Sequence, residues 1–147
     1  MSSIWQREFT LDYLNSLCDN CMISALGIKF SAKGDDYLCA TMPVGPMTKQ
    51  PFGLLHGGAS VALAESLASV AGNMAATPGV SVLGLEINAN HLRAVKSGVV
   101  TAKATMVHGG ASTQVWQVEI SDEAGHLVCV SRTTLAVRRK MKLAAKK

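Results

Sequence analysis

Charge is scarce in this chain. Only 16% of its 147 residues are Asp, Glu, Lys or Arg, against 48% that are apolar. That balance excludes a disordered chain and fits a folded, soluble one long enough to bury a real core. Internal repeats and low-complexity segments are also missing. A secretory signal is not expected, because Met1–Phe9 contains Arg7 and Glu8 and has no apolar centre. The chain therefore reads as cytoplasmic. The most apolar stretch, Gln50–Leu85, is broken by Glu65, by serines and by glycines, which argues against a membrane span. Cysteine is sparse as well, at 18, 21, 39 and 129. Free thiols are expected in such a compartment. Cys18 and Cys21 have CxxC spacing, but no second pair and no paired histidines accompany them, so neither a metal nor a redox site is assigned. Plain buried or half-buried cysteines are expected instead.

The net charge of +4 is concentrated at one end. The last ten residues, RRKMKLAAKK, hold six of the fourteen basic residues, which leaves eight against ten acidic ones, a net of −2. The body is slightly acidic. Residues 138–147 read as a solvated, flexible tail, not as an arm for nucleic acid, and Arg138 and Arg139 read as solvated. Residues 1–137 read as one domain.

What the sequence does have is one long apolar helix with one charge in it. The segment HGGASVALAESLASVAGNMAA begins at His56 and reads as about five turns. Glu65 is the only formally charged side chain between Gln50 and Leu85. A helix that is apolar all round is normally buried, and a lone carboxylate there costs several kcal/mol unless solvated or partnered. No Lys or Arg lies within helical reach, so Glu65 is the candidate functional centre. Gly58, Ala62, Glu65, Ser69 and Gly72 share one face of the helix. Four of the five are small, which lets a backbone or a slim ligand approach. Ser69, four residues on, can stand beside the carboxylate. At Gly57 and Gly58 the helix starts, where unpaired N–H groups and the positive dipole suit a developing oxyanion.

Spacing then sets a constraint. Gly58 and Glu65 are seven residues apart, about 10 Å along a helix. An oxyanion donor and a base acting on one carbonyl must both lie within about 3 Å of the reacting atoms. One helix cannot supply both; two antiparallel copies can. A two-fold dimer with two composite sites is predicted.

The remaining elements follow from periodicity. Thr10 caps a short helix carrying Leu11, Leu14 and Cys18 at core spacing. A strand over Leu26–Phe30, a turn at Lys33–Asp36 and a return strand over Tyr37–Met42, stopped by Pro43, form a hairpin. A loop from Pro43 to Leu55 delivers Gln50 and His56 to the long helix, and Pro78-Gly79 ends it. After it, strands are expected at Val80–Asn90, Gly98–His108, Ser112–Ser121 and His126–Val137, as a four-stranded antiparallel meander. The class is α+β, a sheet wrapped around one buried helix. Trp116 is assigned to the core, and His108 and His126 to turns or the surface.

That order, with TKQPFGLLHGGAS, EINANHLRAV, STQVW and VCVSRTTLAV, resembles the hotdog fold over about Gly27–Val137. It is similar to the branch of acyl-CoA thioesterases that holds the 1,4-dihydroxy-2-naphthoyl-CoA hydrolases, the enterobactin proofreading thioesterases and the phenylacetate-pathway enzymes. The resemblance implies roles. Glu65 is the nucleophile or general base. The Gly57 N–H, helped by Gln50, polarises the thioester carbonyl, and His56 positions the thioester. Ser69 and His91 place the attacking water or the acyl ring. Coenzyme A lies along Gly84, along His91, Leu92, Arg93 and Ala94, and along the turn His108, Gly109, Gly110, Ala111, Ser112 and Thr113. Arg93 suits a phosphate, and so does a Gly-Gly turn. No cofactor or metal is implied. The implied partners are an acyl-CoA substrate and further copies of the chain, in a tetramer made of two dimers.

Two departures stand out. Relatives often carry an acid and an arginine where Val44-Gly45-Pro46-Met47 stand here. Relatives also often carry an arginine after the glycine of the nucleotide turn, where this chain has Ala111. The second implies weaker nucleotide anchoring unless Arg93 or the tail substitutes. Hydrolysis of an acyl-CoA with an aromatic or bulky acyl group is the leading expectation. A hydroxyacyl-thioester dehydratase would need His56 or His91 across from the carboxylate. A non-catalytic acyl-CoA sensor would want a DNA-binding module, for which the chain has no room.

Overall fold

The computed structural model describes residues 2–139, as three helices and six strands. α1 (Leu11–Leu17) starts where Thr10 Oγ1 accepts the Tyr13 N–H at 3.1 Å, and it buries Leu14. α2 (Met22–Ala25) is one further turn, capped by Cys21. The strand expected from Leu26 therefore starts later, as β1 (Lys29–Lys33). Gly27 ends α2 in the left-handed region at φ 71°, and a Cβ there would stand 2.8 Å from the Pro43 ring. An apolar run of this length does not tell a helical turn from a strand.

β2 (Tyr37–Pro43), α3 (Gly57–Ala75), β3 (Val80–His91), β4 (Val99–Gly109), β5 (Thr113–Ser121) and β6 (Leu127–Arg139) follow. Their bounds lie within two residues of those expected. The neighbours do not. The sheet order is β1-β2-β4-β5-β6-β3, antiparallel throughout. The four-stranded meander is corrected to three strands, β4-β5-β6, with β3 on the far edge beside β6. The link after β3 crosses to β4 and is tied down by the Leu92 N–H, which donates to the Val128 carbonyl at 2.8 Å. Periodicity identifies strands but does not choose their partners. β6 also runs further than expected. Arg138 and Arg139 pair with Ser81 and Val80, so they belong to the sheet and not to the tail. The expected tail beyond them, 140–147, lies outside the described residues. No helix among the described residues is long and apolar enough to cross a membrane.

α3 lies on the sheet through Leu63, Ala64, Leu67, Ala68 and Ala71, all fully buried. Opposite stand Ala40, Ala102, Ala104, Trp116, Val118 and Ile120, also fully buried. Alanines on both surfaces let helix and sheet approach closely. Trp116 is core, as expected. Its Nε1 donates to Gln114 Oε1 at 2.9 Å, and Gln114 Nε2 donates to the Gly72 carbonyl at 3.3 Å, so the buried polar atoms of these two side chains are paired.

Two side chains fix β3 against α3. Arg7 donates to the carbonyls of Ala76, Thr77 and Val80 and so closes the C-terminal end of the helix. Asn73 donates to the Val82 carbonyl and accepts the Val82 N–H at 3.0 Å. With Val82 held, Gly84 arrives beside the middle of α3, where a bulge between Gly84 and Glu86 bends the strand. The outer edge of β3 has no neighbour among the described residues. Leu83 and Leu85 are each 60% exposed on this strand. A long edge strand with exposed leucines invites pairing.

Candidate active site

The start of α3 commits most of its amides. His56 is the N-cap, and its Nδ1 accepts the Gly58 N–H at 2.8 Å. The His56 carbonyl accepts the N–H groups of Ala59 and Ser60. Gly57 alone among the first four helical residues has an N–H with no partner among the described residues. Spacing alone left Gly57 and Gly58 equivalent, while the resemblance implied Gly57; the cap leaves the Gly57 N–H free and commits that of Gly58. With Nδ1 accepting, a neutral His56 ring carries its proton on Nε2. His56 itself is exposed.

The loop before the helix is held by its own polar groups. Thr48 is buried, and its Oγ1 donates to the Pro43 carbonyl at 2.6 Å. The His56 N–H donates to the Thr48 carbonyl and the Leu55 N–H to the Val95 carbonyl, each at 2.8 Å. Gln50 Oε1 accepts the Phe52 N–H, which leaves the Gln50 Nε2 hydrogens free to donate outward. Gln50, Gly57, His91, Leu92, Arg93 and Ala94 line one cavity of about 360 Å³. Close packing brings His91 there. A Cβ on Gly57 would stand 2.8 Å from His91 Nε2, so any side chain there would push the ring aside. Ser60, which the sequence gave no reason to select, lines the same cavity.

Glu65 lies elsewhere. It is half-buried in a second cavity of about 490 Å³, with Gly58, Ala62 and Ser69 from its own helix and Met22 and Ile23 from α2. Its carboxylate has no ion pair or hydrogen bond among the described residues. Gly84 makes room for it, since a Cβ there would stand 2.5 Å from Glu65 Oε1. Ser69 stands one turn on, as expected. Gly72 does not belong to this face. A Cβ on it would meet Leu135 Cδ1 at 2.5 Å and Gln114 Oε1 at 2.8 Å, so its smallness serves helix–sheet contact.

The turn between β4 and β5 forms a third locale. Gly109, Gly110 and Ala111 line a cavity of about 380 Å³ together with Ala75 and Ala76. The Gly110 N–H donates to the Thr113 carbonyl at 2.8 Å, the Ser112 carbonyl accepts the Val137 N–H, and His108 folds over Gly110. This cavity is at the far end of α3 from Gly57, about 27 Å away by helical rise. One chain thus brings together Gln50, Gly57, His91 and Arg93, and separately Glu65, Ser69 and Gly84. It keeps the Gly109–Ala111 turn apart from both.

The cysteines are free. Burial pushes the Cys18, Cys39 and Cys129 thiols up, with Cys21 and Asp19 adding to the shift at Cys18. His126, on the β5–β6 turn, pairs with Asp122 at 3.2 Å.

A six-stranded antiparallel sheet around one central helix, with a single carboxylate on that helix, is the hotdog architecture of the thioester hydrolases. The chain belongs to the thioesterase superfamily, whose family model matches residues 52–129. It is 53% identical over 134 residues to the 1,4-dihydroxy-2-naphthoyl-CoA hydrolase of Escherichia coli, covering 91% of this chain and 98% of that one. It is 48% identical to the proofreading thioesterase EntH of Cronobacter turicensis, covering 91% and 98%. Among solved structures, a thioesterase of Haemophilus influenzae superposes with a TM-score of 0.93 at 53% identity, covering 95% of this chain and 97% of that one.

Proposed function

We propose that this protein hydrolyses acyl-CoA thioesters carrying an aromatic or otherwise bulky acyl group to the free acid and CoA, at sites shared by two copies of the chain. The observation that carries the reading is the separation of the parts. Glu65 stands unpartnered over Gly84 in one cavity, while the Gly57 N–H and the Gln50 amide open into another. Across a two-fold axis the second half of one copy meets the first half of the other. The free edge of β3, with Leu83 and Leu85 exposed, supports that pairing.

In the composite site the thioester oxygen accepts from the Gly57 N–H and Gln50 Nε2, which stabilise the charge that develops there. Glu65 of the other copy then acts in one of two ways. As base, it takes a proton from water, the water oxygen bonds to the carbonyl carbon, and the C–S bond breaks to release CoA thiolate. As nucleophile, it forms a mixed anhydride with loss of CoA thiolate, and water hydrolyses that anhydride. Ser69 and His91 orient the water or the ring, and His56 Nε2 offers a further donor. The Escherichia coli relative, named for a dihydroxynaphthoyl substrate, supports the aromatic choice. The family resemblance implies a tetramer of two such dimers, which sedimentation velocity measures.

A panel of aromatic and aliphatic acyl-CoAs, assayed by thiol release, tests the reading. Release from the aromatic members supports it. A hydroxyacyl-CoA converted to an enoyl-CoA without thiol release would identify a dehydratase instead. Gly84→Ala is expected to lower kcat at least about tenfold, about 1.4 kcal/mol, because the added Cβ displaces the Glu65 carboxylate. Unchanged kcat in a folded variant would detach Gly84 from Glu65. Arg93→Ala is expected to raise KM more than it lowers kcat, since a phosphate contact acts on ground and transition states alike. A fall in kcat at constant KM would place Arg93 in the chemistry or the fold.

A further inference from the structure

The turn that carries Gln50 also carries an aromatic ring to which neither the spacing nor the resemblance gives a role. Phe52 is 90% exposed, more than any other large apolar side chain among the described residues. That exposure is not looseness. The Gln50 N–H donates to the Leu54 carbonyl at 2.8 Å, the Gly53 N–H donates to the Gln50 carbonyl at 3.0 Å, and Gln50 Oε1 accepts the Phe52 N–H. Gly53 closes the turn at φ 80°, in the left-handed region. The ring is therefore fixed beside Gln50 while it stands in water, and Met47 on the same loop is exposed too. A second exposed apolar group flanks the Glu65 cavity. Met22, exposed on α2, lines that cavity with Ile23, Val61 and Val70. Leu17, exposed on α1, lines an adjoining apolar cavity of about 240 Å³ that shares Ser69 and Val70 with the first.

We infer that Phe52 of one copy closes the Glu65 cavity of the other, its ring packed against Met22 and against the acyl group of the substrate. This rests on the acyl-CoA reading with shared sites. In such a site Gln50 of one copy and Glu65 of the other act on the same carbonyl. The rigid turn then brings Phe52 in with Gln50, over its partner's cavity and not its own. Both the ring and Met22 leave water there, which favours the contact. The face of a phenyl ring suits an aromatic or bulky acyl group. The hydrogen bond from the Phe52 N–H also keeps the donor side of the Gln50 amide turned outward, so one turn sets both the carbonyl contact and the wall of the acyl site. Phe52 is a specificity-determining residue supplied in trans.

Phe52→Ala is expected to lower kcat/KM at least about tenfold for an aromatic acyl-CoA and less for acetyl-CoA, with Phe52→Leu in between, because the lost contact is with the acyl group. Mixing shows which copy supplies the ring. Phe52→Ala subunits are exchanged with a large excess of inactive Glu65→Gln subunits, so that nearly every Phe52→Ala subunit has a Glu65→Gln partner. Its intact Glu65 then meets the partner's intact ring, and kcat/KM for the aromatic acyl-CoA, counted per Phe52→Ala subunit, should rise to the wild-type value. A second readout needs no catalysis. With the photoreactive p-benzoylphenylalanine in place of Phe52, illumination is expected to give a covalent dimer, with the cross-link mapped by mass spectrometry to Met22 or another residue of the Glu65 cavity. Equal losses on aromatic and acetyl substrates overturn the inference, because they mark a role in the fold of the Gln50 turn. So does unchanged turnover in Phe52→Ala, a kcat/KM that stays low in verified mixed dimers, or a cross-link that forms elsewhere or not at all. If wild type hydrolyses no thioester but the cross-link still joins two copies at the Glu65 cavity, the hydrolase reading falls and the Phe52 contact stands.

Discussion

Replacing Glu65 by Gln is expected to lower thioesterase turnover at least about a hundredfold, about 2.7 kcal/mol of transition-state stabilisation. The amide keeps the shape of the side chain over Gly84 and removes its ability to take a proton or attack a carbonyl. Nothing near it from its own chain can take over. The cavity around Glu65 is lined by small or apolar residues and two serines, with no second carboxylate and no histidine from the same chain. Stability should be unchanged or raised, because a neutral amide is easier to half-bury than a carboxylate without a partner. Turnover by thiol release and unfolding by circular dichroism separate the two effects. Near-wild-type turnover in the folded variant would remove Glu65 from the chemistry.

Mixing two inactive proteins is expected to restore activity. One is Glu65→Gln; the other carries lesions at Gln50 and His56. Glu65 and Gly57 are eight residues apart on a continuous helix, about 12 Å by rise, so one thioester cannot meet both from one chain. In a mixed dimer both lesions fall in one site and the other site is whole. Random exchange gives half of the dimers as mixed, each with one good site of two, so activity should approach about a quarter of wild type. The measurement is turnover before and after subunit exchange, with exchange verified by mass. If verified exchange restores nothing, or if an isolated monomer is fully active, the shared-site reading is wrong.

Some of this site was legible in the sequence because the signals are local. The α3 boundaries follow from a Gly-Gly start, an apolar run and Pro78-Gly79. Glu65 stood out because no other formal charge lies within the 36 residues Gln50–Leu85. The constraint that one helix cannot reach both ends of the chemistry needs only the rise per residue. Other readings failed where angles and neighbours mattered. Gly72 sits at the edge of the small-residue stripe nearest Ala68, and packing against Leu135 and Gln114 turned that edge inward. The Gly58 amide looked as free as that of Gly57 until the His56 ring capped it.

The sequence by itself determined the long helix, the strands that follow it and the isolated carboxylate, because each depends on residues close along the chain. Only the tertiary structure decided that β3 leaves the meander for the far edge, that Gly84 lies under Glu65 and that His91 covers Gly57. Each of these joins segments far apart in sequence. Their meeting is fixed by strand register and by the close approach that a missing Cβ permits, and no local pattern encodes either.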